Sequence, residues 1–240
     1  MRSILKRRLR DLASEPYRVS GQFHYQWARG KLGHDPLFFA LIEHGVFPNG
    51  ARVLDLGCGR GLLAAWLLAA EQLRAEGCWP ASLTPPPRGL HFRGLEQVGQ
   101  DVACGNRALQ SVHGRRVQLD AGDIRVADLG DADAIALLDV LHYIPYAEQE
   151  RLLDRVRTAL DGGGVFVTRV GDAGGGLRFA LSQCVDMGIA LVRGYRISRL
   201  WCRSQDAWVQ ALQARGFAVQ ACPMSDGTPF ANVLLVARVA

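Results

Sequence analysis

The chain has no CxxC pair; its six cysteines, Cys58, Cys78, Cys104, Cys184, Cys202 and Cys222, are scattered. A chain of 240 residues needs no disulfide framework to fold, so reduced thiols in a cytosol are expected. Long hydrophobic runs are also missing. The longest, LLAAWLLAA at 62–70, is too short to span a bilayer, and the basic N-terminus MRSILKRRLRDLASEP lacks the apolar stretch of a signal peptide. A soluble, unexported, cytoplasmic protein is therefore expected. Charge of one sign is in no large excess: 28 basic against 23 acidic residues leave a net charge of +5, most of it locally balanced, so the preference for anionic partners is mild. No zinc-ligand set, nucleophilic triad or internal repeat is visible, and no metal is expected.

With 49% hydrophobic residues, the chain is long enough for one substantial core and short for two, which predicts a single domain over 1–240. Ile4, Leu5, Leu9 and Leu12 recur at helical spacing among Lys6, Arg7, Arg8 and Arg10, giving a short basic amphipathic helix. Either that helix is simply a solvated face, or it docks an acidic carrier protein or an anionic membrane surface. From Ala51 onward, short β-type runs alternate with helical ones: RVLDL, helix 62–76, LHFRGLEQ, helix 99–112, VQLDAGD, AIALLDV, helix 147–160, GVFVTRV. This alternation predicts a parallel sheet flanked by helices. The tail differs. A helix over 205–214 leads into FAVQAC at 217–222 and then, with no further helix, ANVLLVARV at 231–239, which predicts a closing hairpin. CWPASLTPPPRG at 78–89 carries four prolines and reads as an exposed loop.

The most informative segment is VLDLGCGRG at 53–61, a buried strand that runs into glycines and then into an apolar helix. Gly57, Gly59 and Gly61, with Cys58 between the first two, let the backbone turn tightly and approach a ligand closely. A dinucleotide turn reads G-x-G-x-x-G and delivers a pyrophosphate to a helix N-terminus. Here the spacing is G-x-G-x-G and Asp55 precedes it. A carboxylate at the strand end repels a pyrophosphate and suits a ligand with an ammonium group and hydroxyls.

Segment 53–61 resembles the first motif of the class I S-adenosylmethionine-dependent methyltransferases, a hydrophobic strand followed by D-x-G-x-G-x-G. The resemblance covers residues 50–170 well and the tail loosely. It implies a Rossmann-like α/β fold: a seven-stranded, mostly parallel sheet with an antiparallel last strand, helices on both faces and an N-terminal helical segment. It divides the domain into a cap at 1–50, a cofactor-binding core at 51–170, an acceptor-pocket region at 171–203 and a closing helix and hairpin at 204–240. The implied cofactor is S-adenosyl-L-methionine.

Other positions follow from the same resemblance. In GLEQ at 94–97, Glu96 with neighbouring Gln97 falls where the family uses a carboxylate to accept from the ribose diol. In AGDI at 121–124, Gly122, Asp123 and Ile124 fall where an aspartate accepts from the adenine amino group and an apolar residue covers the ring. The run AIALLDV leads into LHYIPY and places Asp139, His142 and Tyr143 at the carboxyl end of the fourth strand, facing cofactor and acceptor. His142 suits proton acceptance near neutrality, although packing or capping roles for His142 and Tyr143 are equally open.

Methyl transfer from a sulfonium requires alignment and exclusion of water, with no metal or covalent enzyme intermediate. FHYQWARGKLGHDP at 23–36 gathers aromatic and cationic groups and resembles the N-terminal entry of bacterial small-molecule methyltransferases near aryl-polyene pigment pathways. On that reading Tyr25, Arg29 and Lys31 close over the cofactor, Arg29 pairing its carboxylate and Tyr25 facing the acceptor; the alternative is a packed helix junction. Tyr17, Phe23, Trp27, Phe179, Tyr195 and Trp201 add ring surface for a flat acceptor, and GDAGGG at 171–176 a hinge. The expected activity is methylation of a small organic, aromatic or polyene acceptor at oxygen or carbon. The rivals are an RNA or protein methyltransferase and a non-catalytic cofactor-binding subunit. The chain has DVLHYIP where an amino-methylating enzyme carries N/D-P-P-Y/F, and no separate nucleic-acid module, so nucleic acid is not an expected partner.

Overall fold

The computed structural model describes residues 2–160, 162–174, 200–224 and 231–240. Its seven strands form one sheet in the order β3-β2-β1-β4-β5-β7-β6. The strands are β1 (Arg52–Leu56), β2 (His91–Glu96), β3 (Val117–Ala121), β4 (Ala134–Leu138), β5 (Val165–Gly171), β6 (Phe217–Pro223) and β7 (Asn232–Val239). β1 pairs parallel with β2 and β2 with β3, whereas β7 runs antiparallel to both β5 and β6. This is the Rossmann-like α/β arrangement, antiparallel last strand included, that the family resemblance implies.

The chain divides into two compact units. The first comprises residues 1–128 and 132–135. It opens with α1 (Arg2–Ser14), a 3-10 turn (Glu15–Ser20), α2 (Gln22–His34) and α3 (Leu37–Glu43). α1 buries Leu5, Leu9 and Ala13. Several of its cations are engaged within the chain: Arg2 pairs with Glu43, and Lys6 lies 4.5 Å from the Phe39 ring centroid.

After β1, α4 (Leu62–Ala75) is apolar almost all round and buries ten side chains, Trp66 among them, as a helix in the middle of a core does. Glycine at two points lets α5 (Gly99–His113) and β2 pack tightly. A Cβ on Gly105 would lie 2.4 Å from Leu119 Cδ1 and 2.7 Å from the Arg60 carbonyl, and one on Gly94 would lie 2.6 Å from Cys58 Sγ. The proline-bearing loop stays out of the sheet as expected. It is anchored rather than loose, with Arg74 donating to the Pro86 carbonyl at 2.9 Å and Gly50 N–H to that of Arg88 at 2.7 Å.

The second unit comprises residues 129–131 and 136–240. α6 (Tyr146–Ala159) buries Gln149, Leu152, Leu153, Val156 and Ala159 along one stripe. α7 (Gln205–Gln213) begins at Ser204, whose hydroxyl caps it by accepting the Ala207 N–H at 3.3 Å. Among the described residues, no helix is long and apolar enough to cross a membrane.

Candidate cofactor and acceptor sites

In the first unit the chain leaves β1 through three left-handed glycines, Gly57 (φ 74°), Gly59 (φ 55°) and Gly61 (φ 76°). L-residues with a Cβ avoid this region, which is why glycine occupies all three positions. The turn is tied to β2, since the Gly57 and Cys58 N–H groups donate to the Leu95 carbonyl at 2.8 and 3.2 Å. A Cβ on Gly59 would meet nothing within 4 Å, whereas one on Gly61 would lie 2.7 Å from Leu109 Cδ1. Gly61 thus serves packing, and Gly59 opens on space.

Two buried carboxyl groups flank this turn. Glu96, 7% exposed, accepts the Gly59 N–H on Oε2 at 3.0 Å and the Val98 N–H on Oε1 at 2.9 Å. It therefore ties the glycine turn to the loop after β2, and each oxygen keeps a lone-pair direction for a further donor. Asp55, 5% exposed, accepts no hydrogen bond among the described residues. Burial, and secondarily the Glu96 charge, pushes its carboxyl up to about 7. Burial also pushes the Cys58 thiol up, so this cysteine is a neutral packing group and not a nucleophile. Gln97 is exposed.

The loop after β3 is fastened by the Gly122 N–H, which donates to the Glu96 carbonyl at 3.0 Å. Ile124 is buried. Both Asp123 oxygens face Arg125, at 3.0 Å from Nε and at 2.6 Å from Nη2, and this pairing holds the carboxyl below its usual range. Tyr25 and Arg29 come together, but within the N-terminal helices. Tyr25 is buried, Arg29 Nη1 donates to its hydroxyl at 2.8 Å and pairs with Asp11 at 2.8 Å, and Arg18 stacks 3.7 Å from its ring centroid. Tyr17 is fully buried, with its hydroxyl on the Arg60 carbonyl at 2.8 Å.

In the second unit Asp139, His142 and Tyr143 cluster at the end of β4. Asp139 (φ 59°) is the one non-glycine residue in the left-handed region among the described residues. Arg169 on β5, 5% exposed, grips it through Nε at 2.7 Å to Oδ1 and through Nη2 to Oδ2. His142, 8% exposed, lies in the turn Leu141–Tyr143, its ring centroid 4.1 Å from that of Tyr143. Burial holds its imidazole below the usual value, with Arg169 acting in the same direction and Asp139 opposing, so it is neutral near pH 7.

Gln149, fully buried, is a residue the sequence reading did not single out. Its amide donates to the carbonyls of Leu141 and Ile144 at 2.9 Å and of Trp201 at 2.8 Å, and its oxygen accepts from Arg203 at 2.9 Å. Its signal was a glutamine on the apolar stripe of α6. Of the stretch 171–203, residues 175–199, with Phe179 and Tyr195, lie outside the described residues.

A profile of methyltransferase domains matches residues 25–221. The chain belongs to this family. Members of the family are S-adenosylmethionine-dependent methyltransferases. The glycine turn, the open space over Gly59 and the uncompensated Asp55 carboxyl fit a cationic cofactor of that kind.

Among curated proteins, this methyltransferase is similar to a carboxy-S-adenosyl-L-methionine synthase of Chromohalobacter salexigens. The two are 30% identical over 128 residues, which is 53% of this chain and 42% of that one. The match thus spans less than half of that relative's length. Among solved structures it is similar to magnesium protoporphyrin IX methyltransferase of Synechocystis PCC 6803 with bound SAH (TM-score 0.60, 16% identity, all of both chains covered). It is also similar to the pyocyanin biosynthetic protein PhzM (TM-score 0.61, 21% identity, 93% of this chain and 61% of that one). At these identities the structural likeness establishes the fold.

Proposed function

We propose that this methyltransferase acts on a small organic acceptor, with a flat aromatic or polyene body, at oxygen or carbon. The observation that carries the cofactor half is the buried Asp55 beside an open glycine turn, with Glu96 fixed across it. S-adenosylmethionine supplies an activated methyl group when bound. Asp55 compensates the cofactor's positive charge, Glu96 accepts from its ribose hydroxyls, and Gly57, Gly59 and Gly61 leave room for it. Ile124 and Asp123 serve the adenine, Asp123 after Arg125 releases it. Asp139 is proposed on the cofactor side too, held in place by Arg169.

On the acceptor side, His142 is proposed to take the proton of a hydroxyl or carbon nucleophile. Burial holds its imidazole below the usual value, which favours the neutral form able to accept a proton while weakening it as a base. The similar magnesium protoporphyrin IX methyltransferase bears the name of a small-molecule acceptor, which supports the substrate class. The acceptor region at 171–203, a docking role for the exposed basic residues of α1 and a cytoplasmic location belong to the same proposal. The test is incubation of the purified chain with S-adenosylmethionine and a panel of metabolites, read by mass. An acceptor heavier by one methyl group, with S-adenosylhomocysteine formed in equal amount, is expected. Turnover only with RNA or protein would overturn the acceptor class.

The name of the curated relative motivates a second reading, in which the product is a carboxylated form of the cofactor itself. The same incubation separates the two when the panel includes carboxylic acids able to give up a carboxyl group, because a heavier cofactor and a decarboxylated donor then appear in place of a heavier acceptor.

A further inference from the structure

Arg60 stands between the second and third glycines of the turn and is held from three elements of the first unit. Its carbonyl accepts the hydroxyl of the fully buried Tyr17 at 2.8 Å. Its Nε donates to Asp101 Oδ1 at 2.7 Å, in the first turn of α5. Its guanidinium lies 4.4 Å from the ring centroid of Trp27 on α2, within cation–π range. Nη1 is buried with no hydrogen-bond partner among the described residues. A solvated surface arginine keeps all its donors in water; this one gives up that hydration for a fixed place. Asp101 follows closely on Val98, whose N–H is held by Glu96, and Glu96 in turn accepts from Gly59. The contacts close a ring: Gly59, Arg60, Asp101, Val98, Glu96 and back to Gly59.

We propose that Arg60 is a positioning residue for the cofactor: Tyr17, Trp27 and Asp101 hold it, and it holds the glycine turn and the Glu96 turn in the shape that receives S-adenosylmethionine. The N-terminal segment therefore acts on cofactor affinity through Tyr17 and Trp27, where the sequence suggested ring surface for an acceptor. The inference rests on the cofactor reading above.

The test is calorimetric titration of the full chain with S-adenosylhomocysteine, alongside thermal melting without ligand. The proteins are the parent, Arg60→Met, Arg60→Lys, Trp27→Leu and the Arg60→Met/Trp27→Leu double variant. Arg60→Met is expected to bind about tenfold more weakly. Trp27→Leu should bind about three- to fivefold more weakly. The double variant should bind no more weakly than Arg60→Met, because both changes remove the same contact. Arg60→Lys should recover part of the affinity, keeping the charge for Asp101 but not the planar stack.

Parental affinity in Arg60→Met and Trp27→Leu, whatever their melting temperatures, would assign a structural role alone and overturn the proposal. Should Arg60→Met fail to fold, parental affinity in both Arg60→Lys and Trp27→Leu would overturn it, and weakened binding by both would support it. If the parent itself binds no S-adenosylhomocysteine, the cofactor reading fails first and the proposal with it.

Discussion

Glu96 holds the Gly59 N–H at 3.0 Å across the mouth of the glycine turn, and the same carboxylate holds the Val98 N–H at 2.9 Å. Replacement of Glu96 therefore removes more than two ribose contacts. Glu96→Ala leaves two backbone donors without their acceptor, which costs about 1–3 kcal/mol of stability, or roughly 2–10 °C in melting temperature for a chain of this size. Cofactor affinity should fall about 10–150-fold, since charge-assisted hydrogen bonds contribute about 1.5–3 kcal/mol. Glu96→Gln, keeping one acceptor oxygen, should fall between parent and Ala on both measures. Calorimetry and thermal melting check both.

Asp55 gives a pH dependence whose sign is fixed. Burial and the Glu96 charge raise its folded value to about 7, above the roughly 3.9 of an unfolded aspartate. The folded chain then binds the extra proton between these values, so the contribution to stability is fully present below about 4 and is lost as pH rises through about 7. Asp55→Asn should flatten that loss and stabilise the ligand-free chain at pH 8 by about 1–3 kcal/mol. A cationic cofactor favours the carboxylate, so affinity in the parent should rise between pH 6 and 8 with release of a proton. Titration in buffers of differing ionisation enthalpy measures that proton; a flat affinity would show that Asp55 does not face the ligand.

Two glycines should respond in opposite ways to alanine. At Gly59 the added Cβ meets open space and suffers only the strain of φ 55°, about 1 kcal/mol. It enters the space assigned to the cofactor, so affinity should drop more than stability. At Gly105 the added Cβ lies 2.4 Å from Leu119 Cδ1 and 2.7 Å from the Arg60 carbonyl, and overpacking should cost about 1–3 kcal/mol or more. Urea denaturation and cofactor titration of both variants should show this crossover.

Gln149 fixes the carbonyls of Leu141, Ile144 and Trp201, and the Trp201 N–H donates to the His142 carbonyl at 2.8 Å. Gln149→Leu keeps the size and loses every polar contact, so a loss of about 1–3 kcal/mol is expected. In a turnover assay its effect should appear in kcat rather than in cofactor affinity, because the turn it braces carries His142.

What was legible in the sequence is what the chain encodes locally. A strand, three glycines at alternate positions and an apolar helix follow one another directly, so VLDLGCGRG announces its own geometry, and the alternation of elements announces the sheet. Illegible were contacts made across long separations. Nothing near Gly105 in sequence says that it must pass the Arg60 carbonyl, and nothing near Arg169 says that it grips Asp139. Tyr25 and Arg29 read as an open aromatic-cationic pair, yet the partners that define them, Asp11 and Arg18, approach only once α1, the 3-10 turn and α2 have packed. Arg60 draws no attention in the sequence because its partners, Tyr17, Trp27 and Asp101, lie on three other elements.

The central claim is that the first unit binds a sulfonium cofactor and not a dinucleotide, through Asp55 and Glu96 on a G-x-G-x-G turn. Its most direct test is calorimetric titration of the parent chain with S-adenosylmethionine and, separately, with NAD. Saturable one-to-one binding of S-adenosylmethionine with no heat from NAD is the predicted result; tight NAD binding with no response to S-adenosylmethionine would contradict the account.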